Sequence, residues 1–129
     1  MKMPNKENGS AKVLIVDDEP NILMSLEFLM HREGYRVFVA RNGNEALTII
    51  NQETPDVIIL DIMMPEVDGY EVCQLIKNNL STQHIKVIFL SAKTKEDDIR
   101  KGYEMGADLY MTKPFSTREL LKKVKSLKN

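Results

Sequence analysis

The sequence predicts an α/β fold in which five βα units build one parallel sheet with helices over both faces. Three observations lead there. Short apolar runs recur about 20 to 30 residues apart, and they are continuous and largely β-branched, as strands buried on both faces require. The segments between them carry helix-start signals. Finally, 129 residues, 43% hydrophobic and 29% charged, make one domain large enough to bury well over half of its unfolded surface.

The first ten residues are polar and lack apolar periodicity, so they read as a flexible lead-in, with the folded domain spanning 11–129. The first strand is Val13-Leu14-Ile15-Val16. Asp18-Glu19-Pro20 then sets a capping carboxylate ahead of an early proline, and Gly34 closes that helix in the left-handed conformation. Val37-Phe38-Val39-Ala40 is the second strand, followed by Asn42 three residues before Glu45. Val57-Ile58-Ile59-Leu60 is the third, and Asp68 stands three before Glu71. Val87-Ile88-Phe89-Leu90 is the fourth, with Thr94 three before Asp97 and Gly106 at the helix end. Leu109-Tyr110-Met111 is the fifth; Ser116, three before Glu119, opens a last helix whose stripe is Leu120, Leu121, Val124 and Leu127.

Composition narrows the function. Lys+Arg 18 against Asp+Glu 19 leaves a net charge of -1, which provides no general attraction to phosphate backbones or anionic lipid. The expectation is no direct nucleic-acid binding and no membrane insertion. Cys73 is the only cysteine, so an internal disulfide and a multi-thiolate metal site are both excluded. With no secretory leader pattern and no apolar run near the ~20 residues of a membrane span, the chain reads as cytoplasmic.

Open parallel α/β sheets bind ligands outside the carboxyl ends of their strands. There this sequence sets Asp17-Asp18 after strand one, Asp61 after strand three, Ser91 after strand four and Lys113-Pro114 after strand five. Carboxylates crowded together repel unless a cation lies among them, and hard oxygen ligands suit Mg²⁺. An ammonium and a hydroxyl beside them complete what a phosphoryl group needs, with Asp61 as the nucleophile between the two halves.

The segments Val16-Asp17-Asp18-Glu19-Pro20, Asp61-Ile62-Met63-Met64-Pro65-Glu66-Val67-Asp68-Gly69, Leu90-Ser91-Ala92-Lys93 and Met111-Thr112-Lys113-Pro114-Phe115 closely resemble the receiver domain of two-component response regulators, over roughly residues 11 to 127. The resemblance implies a flavodoxin-like, doubly wound sheet in the order 2-1-3-4-5, an order known for chemotaxis receivers. It implies that Asp61 takes a phosphoryl group from the phosphohistidine of a sensor histidine kinase or a histidine phosphotransfer protein. Asp18, Asp61 and the backbone carbonyl of Met63 would hold Mg²⁺, with Asp17 acting through a water. Lys113 would pair with Asp61 at rest and with the phosphoryl group afterwards. Ser91 would hydrogen-bond that group, Tyr110 would turn inward as the switch aromatic, and the Lys113-Pro114 bond would be cis. Met63 and Lys93 stand at positions that tune phosphoryl lifetime.

By the same resemblance the protein is a signalling switch rather than a turnover enzyme, and it speaks to a downstream protein through its fourth helix, fifth strand and fifth helix. Asp108, Arg118, Glu104 and Arg100 are candidates for a weak phosphorylation-dependent dimer on that face; Leu109, where dimerising relatives carry an acid, weighs toward a monomer. The basic end of the last helix, Lys122, Lys123, Lys125 and Lys128, reads as a solvated face suited to the helix dipole. Cys73, Met24 and Met30 read as core residues, and His31 and His84 carry no assigned role. A haloacid-dehalogenase-like phosphatase shares the chemistry, but it expects a second Asp where Met63 stands. A flavodoxin-like cofactor binder expects a phosphate loop after strand one, which is missing.

Overall fold

The computed structural model describes residues 11–128, so the lead-in expected over 1–10 lies outside the described residues. Its elements alternate as β1 (Lys12–Val16), α1 (Pro20–Arg32), β2 (Arg36–Ala40), α2 (Gly43–Glu53), β3 (Val57–Leu60), α3 (Gly69–Lys77), β4 (Lys86–Ser91), α4 (Glu96–Glu104), β5 (Leu109–Thr112) and α5 (Thr117–Lys128). The strands pair in parallel in the order β2-β1-β3-β4-β5.

The continuous apolar runs are explained by two cores. On one face Leu14, Ile58, Leu60, Val87 and Phe89 pack against α2 and α3 through Ala46, Ile50, Val72, Cys73 and Ile76. On the other, Val13, Ile15, Val57, Ile59, Ile88 and Leu90 pack against Leu26 and Met30 of α1 and Leu120 and Val124 of α5. Alternate residues of each central strand thus serve opposite layers, and both layers are apolar.

The helix ends follow local chemistry. Asn42 and Asp68 accept the N–H groups of Glu45 (2.8 Å) and Glu71 (2.9 Å), and Ser116 accepts that of Glu119 at 3.2 Å. Gly34 (φ 91) and Gly106 (φ 108) follow α1 and α4. Each closes a Schellman turn, Tyr35 N–H bonding to Met30 O at 3.2 Å and Ala107 N–H to Gly102 O at 3.1 Å.

Three sequence expectations are corrected. Thr94 does not cap α4: Lys95 is the N-cap residue, without a side-chain cap, and Glu96, Asp97 and Asp98 meet the positive helix end instead. Asp18 does not cap α1; the N-cap is Glu19, and its N–H donates to Asp17 Oδ1 at 2.9 Å. Met24 is 67% exposed, because the buried stripe of α1 runs through Leu23, Leu26 and Met30 and leaves Met24 and Phe28 on the outer face.

Candidate functional site

The carboxyl ends of β1, β3, β4 and β5 meet at one edge of the sheet, and their backbones fix what projects there. Asp61 N–H continues the ladder onto Val16 O at 2.9 Å, Asp17 N–H bonds to Ala40 O at 3.2 Å, and Lys113 N–H bonds to Ser91 O at 2.8 Å. One carboxylate oxygen from each of Asp17, Asp18 and Asp61 lies within 4.8 Å of the others. Asp17 and Asp61 are buried, whereas Asp18 is exposed.

Lys113 enters this acidic group from β5, followed by the cis bond to Pro114. Its ammonium stands 2.8 Å from Asp17 Oδ2, 3.4 Å from Glu19 Oε1 and 3.9 Å from Asp61 Oδ1. The main partner of Lys113 at rest is therefore Asp17 rather than Asp61, and Glu19 joins it. Asp17 is doubly committed, Oδ1 to the Glu19 N–H and Oδ2 to Lys113, which aims its carboxylate into the site. Sequence reasoning missed Glu19; its place directly after the acidic pair, ahead of Pro20, was the available signal.

Electrostatics single out Asp61. Burial disfavours its charge, Asp17 and Asp18 add repulsion, and Lys113 with the Ile62 N–H only partly compensates, so its pKa is pushed up to about 6. Lys113 moves up as well: burial pulls it down, but the hydrogen bond it donates to Asp17 and the charges of Asp61, Asp17 and Glu19 outweigh that. A carboxyl held above its ordinary range first by burial and then by acidic neighbours is an environment that a cation would relieve.

Ser91 is fully buried, and its Oγ accepts the Lys93 N–H at 3.1 Å. Tyr110 donates its hydroxyl to Lys93 O at 2.8 Å, and its ring lies 5.9 Å from that of Phe89. The Lys93 backbone is thus held at both its N–H and its carbonyl, and the Tyr110 ring is half-buried. Gly102 makes room for it, since a Cβ there would lie 2.8 Å from Tyr110 Cδ2. Met63 is 57% exposed on the loop after Asp61.

Gly69, a further residue of this region, has a role that sequence reasoning did not assign. A Cβ at Gly69 would collide with the Asp61 carbonyl oxygen and lie 2.7 Å from Ile62 Cα, so α3 starts directly against the backbone of the acidic strand end.

A profile of the response regulator receiver domain matches residues 13–125. The chain belongs to this family. Among solved structures it is similar to the chemotaxis protein CheY4 of Vibrio cholerae, at 30% identity and TM-score 0.85 over 92% of this chain and 98% of that one. The signal receiver domain of a histidine kinase from Syntrophus aciditrophicus is 36% identical, with TM-score 0.85 over 92% of this chain and 89% of that one. A CheY-like receiver domain protein from Methanospirillum hungatei is 30% identical, with TM-score 0.85 over 91% of this chain and 92% of that one. As a receiver domain it is a signalling switch built on the flavodoxin-like α/β sheet in the order 2-1-3-4-5.

Outside the site, Cys73 is buried in the core, and burial raises its thiol to about 12. Asp108, just ahead of β5, is held within the chain: its Oδ2 accepts the Val87 N–H at 2.8 Å and Lys77 Nζ at 3.1 Å, which ties the start of β5 to β4 and α3. Among the described residues no helix is long and apolar enough to cross a membrane.

Proposed function

We propose that Asp61 is the phosphoacceptor of a two-component phosphorelay, receiving a phosphoryl group from the phosphohistidine of a sensor histidine kinase or a histidine phosphotransfer protein in the cytoplasm. The observation that carries this reading is the buried Asp61 carboxylate at one strand end, clustered with two further carboxylates and with the Lys113 ammonium 3.9 Å away. Asp61 Oδ1 accepts the Ile62 N–H and faces Lys113, which leaves Oδ2 as the attacking oxygen. Oδ2 forms the new P–O bond as the P–N bond to the imidazole breaks, and the electron pair of that bond returns to the ring nitrogen, so the imidazole leaves neutral, keeping the proton that its other nitrogen carried in the phosphohistidine. Catalysis consists of positioning and charge neutralisation.

The three clustered carboxylates fit a hard divalent cation. Asp18, Asp61 and the Met63 carbonyl would hold Mg²⁺, with Asp17 acting through a water; bound there, it supplies charge neutralisation at the phosphoryl oxygens. Lys113 has only a long contact to Asp61 at rest, so it is poised to leave Asp17 and Glu19 for a phosphoryl oxygen. Ser91 Oγ exchanges its bond from the Lys93 N–H for one to the phosphoryl group. That releases one of the two holds on Lys93 while Tyr110 keeps the other, and the β4–α4 loop is the two-state element. The altered α4–β5–α5 face then docks a downstream protein.

The test is intact mass after incubation with Mg²⁺ and acetyl phosphate. One phosphoryl increment of ~80 Da, dependent on Mg²⁺ and absent in Asp61→Asn, is the expected result. Rapid turnover of the donor without an adduct would favour a phosphatase instead.

A further inference from the structure

The β4–α4 region is held by a second tyrosine besides Tyr110. Tyr70, the second residue of α3, is buried, and its hydroxyl donates to Asp98 O in the first turn of α4 at 3.0 Å. Its ring meets Phe89 edge-on, centroids 5.7 Å apart at 72°, and Lys101 of α4 places its ammonium 4.5 Å from the centre of the same ring. One side chain of α3 therefore grips α4 by a hydrogen bond and a cation–π contact.

The other end of this connection is anchored at the acidic strand end. Gly69 N–H bonds to Ile62 O at 2.9 Å, and the missing Cβ lets α3 rest on the Asp61 backbone. Tyr70 follows Gly69 directly, so its position is set by the segment that carries Asp61. The rings of Tyr70, Phe89 and Tyr110 form a row from α3 across β4 to β5. The hydroxyls at its two ends hold different targets: Tyr110 holds the loop at Lys93, and Tyr70 holds the helix at Asp98.

We propose that Tyr70 is a positioning residue that ties the Asp61 segment to α4 and holds α4 in its unphosphorylated place, so that the Tyr70 hydroxyl sets how readily the α4 surface responds to phosphorylation. This rests on the phosphoacceptor reading of Asp61. Ser91 and Tyr110 act on the loop; Tyr70 acts on the helix beyond it. A helix displaced by the loop must give up the Asp98 contact, and removing that contact beforehand lowers the barrier to response and the binding energy it requires.

The test compares Tyr70→Phe, which keeps the ring and removes only the hydroxyl, with the unsubstituted protein in two measurements. In metal-free, unphosphorylated protein, amide exchange in the first turns of α4 accelerates about two- to tenfold while α2 and α5 are unchanged. With Mg²⁺ present, the half-saturating concentration of beryllium fluoride, a phosphoryl mimic, falls by about the same two- to tenfold factor. A lower melting temperature with unaltered exchange in α4 and unaltered half-saturation would mean that Tyr70 is only a packing residue and would overturn the proposal. Weaker beryllium fluoride binding would overturn its direction. If the unsubstituted protein binds no beryllium fluoride, the phosphoacceptor reading fails, and the exchange measurement still decides whether Tyr70 holds α4.

Discussion

Replacing Asp61 with Asn should stabilise the metal-free fold at neutral pH and should do so only where the carboxyl would otherwise be charged. The rise of the Asp61 pKa from 3.8 to about 6 is caused first by burial and then by Asp17. A carboxyl raised in the folded state binds its proton more tightly there than in the unfolded chain. Native stability therefore falls as pH climbs from 3.8 toward 6, and the full cost persists above that. At about 1.4 kcal/mol per pH unit the cost is roughly 3 kcal/mol near neutrality, and about 0.6 kcal/mol remains at about pH 4. Asn can still accept the Ile62 N–H, and Lys113 keeps Asp17 at 2.8 Å, so little else is lost. Urea unfolding with a chelator present, for both proteins at about pH 7.5 and pH 4, should show a gain of about 1 to 3 kcal/mol at the higher pH that shrinks by about 2 kcal/mol at the lower. A variant less stable than its parent at about pH 7.5, or a gain equal at both values, would refute the electrostatic account of the site.

Mg²⁺ should stabilise the unsubstituted protein by about 1.4 kcal/mol at ten times its dissociation constant, and calorimetric titration should show this lost in Asp61→Asn. Gly69→Ala should destabilise the fold by about 2 kcal/mol or more in the same urea assay, because its Cβ has no room against Asp61 O and Ile62 Cα. Cys73 should resist a thiol reagent in the native state and react once urea unfolds the chain, since its Sγ is buried and its thiol is raised to about 12. Reaction of native protein at the unfolded rate would contradict its core placement.

The parts of this structure legible in the sequence are those that local chemistry decides. The β-branched runs became strands, buried in β1, β3 and β4 and only partly buried in the edge strands β2 and β5, and Asn42, Asp68, Ser116, Gly34 and Gly106 carry their cap roles in their own side chains or in the lack of one. Asp17, Asp18, Asp61, Ser91 and Lys113 could be brought to one edge because strand ends are where this topology leaves polar groups. What stayed hidden depends on distances across the fold. Lys113 does face Asp61, at 3.9 Å, but Asp17, fixed by the Glu19 N–H, is closer at 2.8 Å, and a separation of 96 residues carries no trace of that choice. Met24 looked like a core residue because adjacent positions on a helix differ by only a fraction of a turn, and packing alone selects the buried stripe. That Asp108 bridges Val87 and Lys77 was also hidden, because nothing local shows it. The reach of Tyr70 to Asp98 depends on α3 resting on Asp61, a contact visible only once the chain is folded.

The most direct test of the central claim locates the covalent bond itself. Protein treated with acetyl phosphate and Mg²⁺ is reduced with borohydride, which converts an aspartyl phosphate to homoserine, and its peptides are sequenced by mass spectrometry. The expected result is homoserine at position 61, dependent on both Mg²⁺ and donor. Homoserine at Asp17 or Asp18, or an unmodified Asp61 in protein that has gained a phosphoryl group, would contradict it.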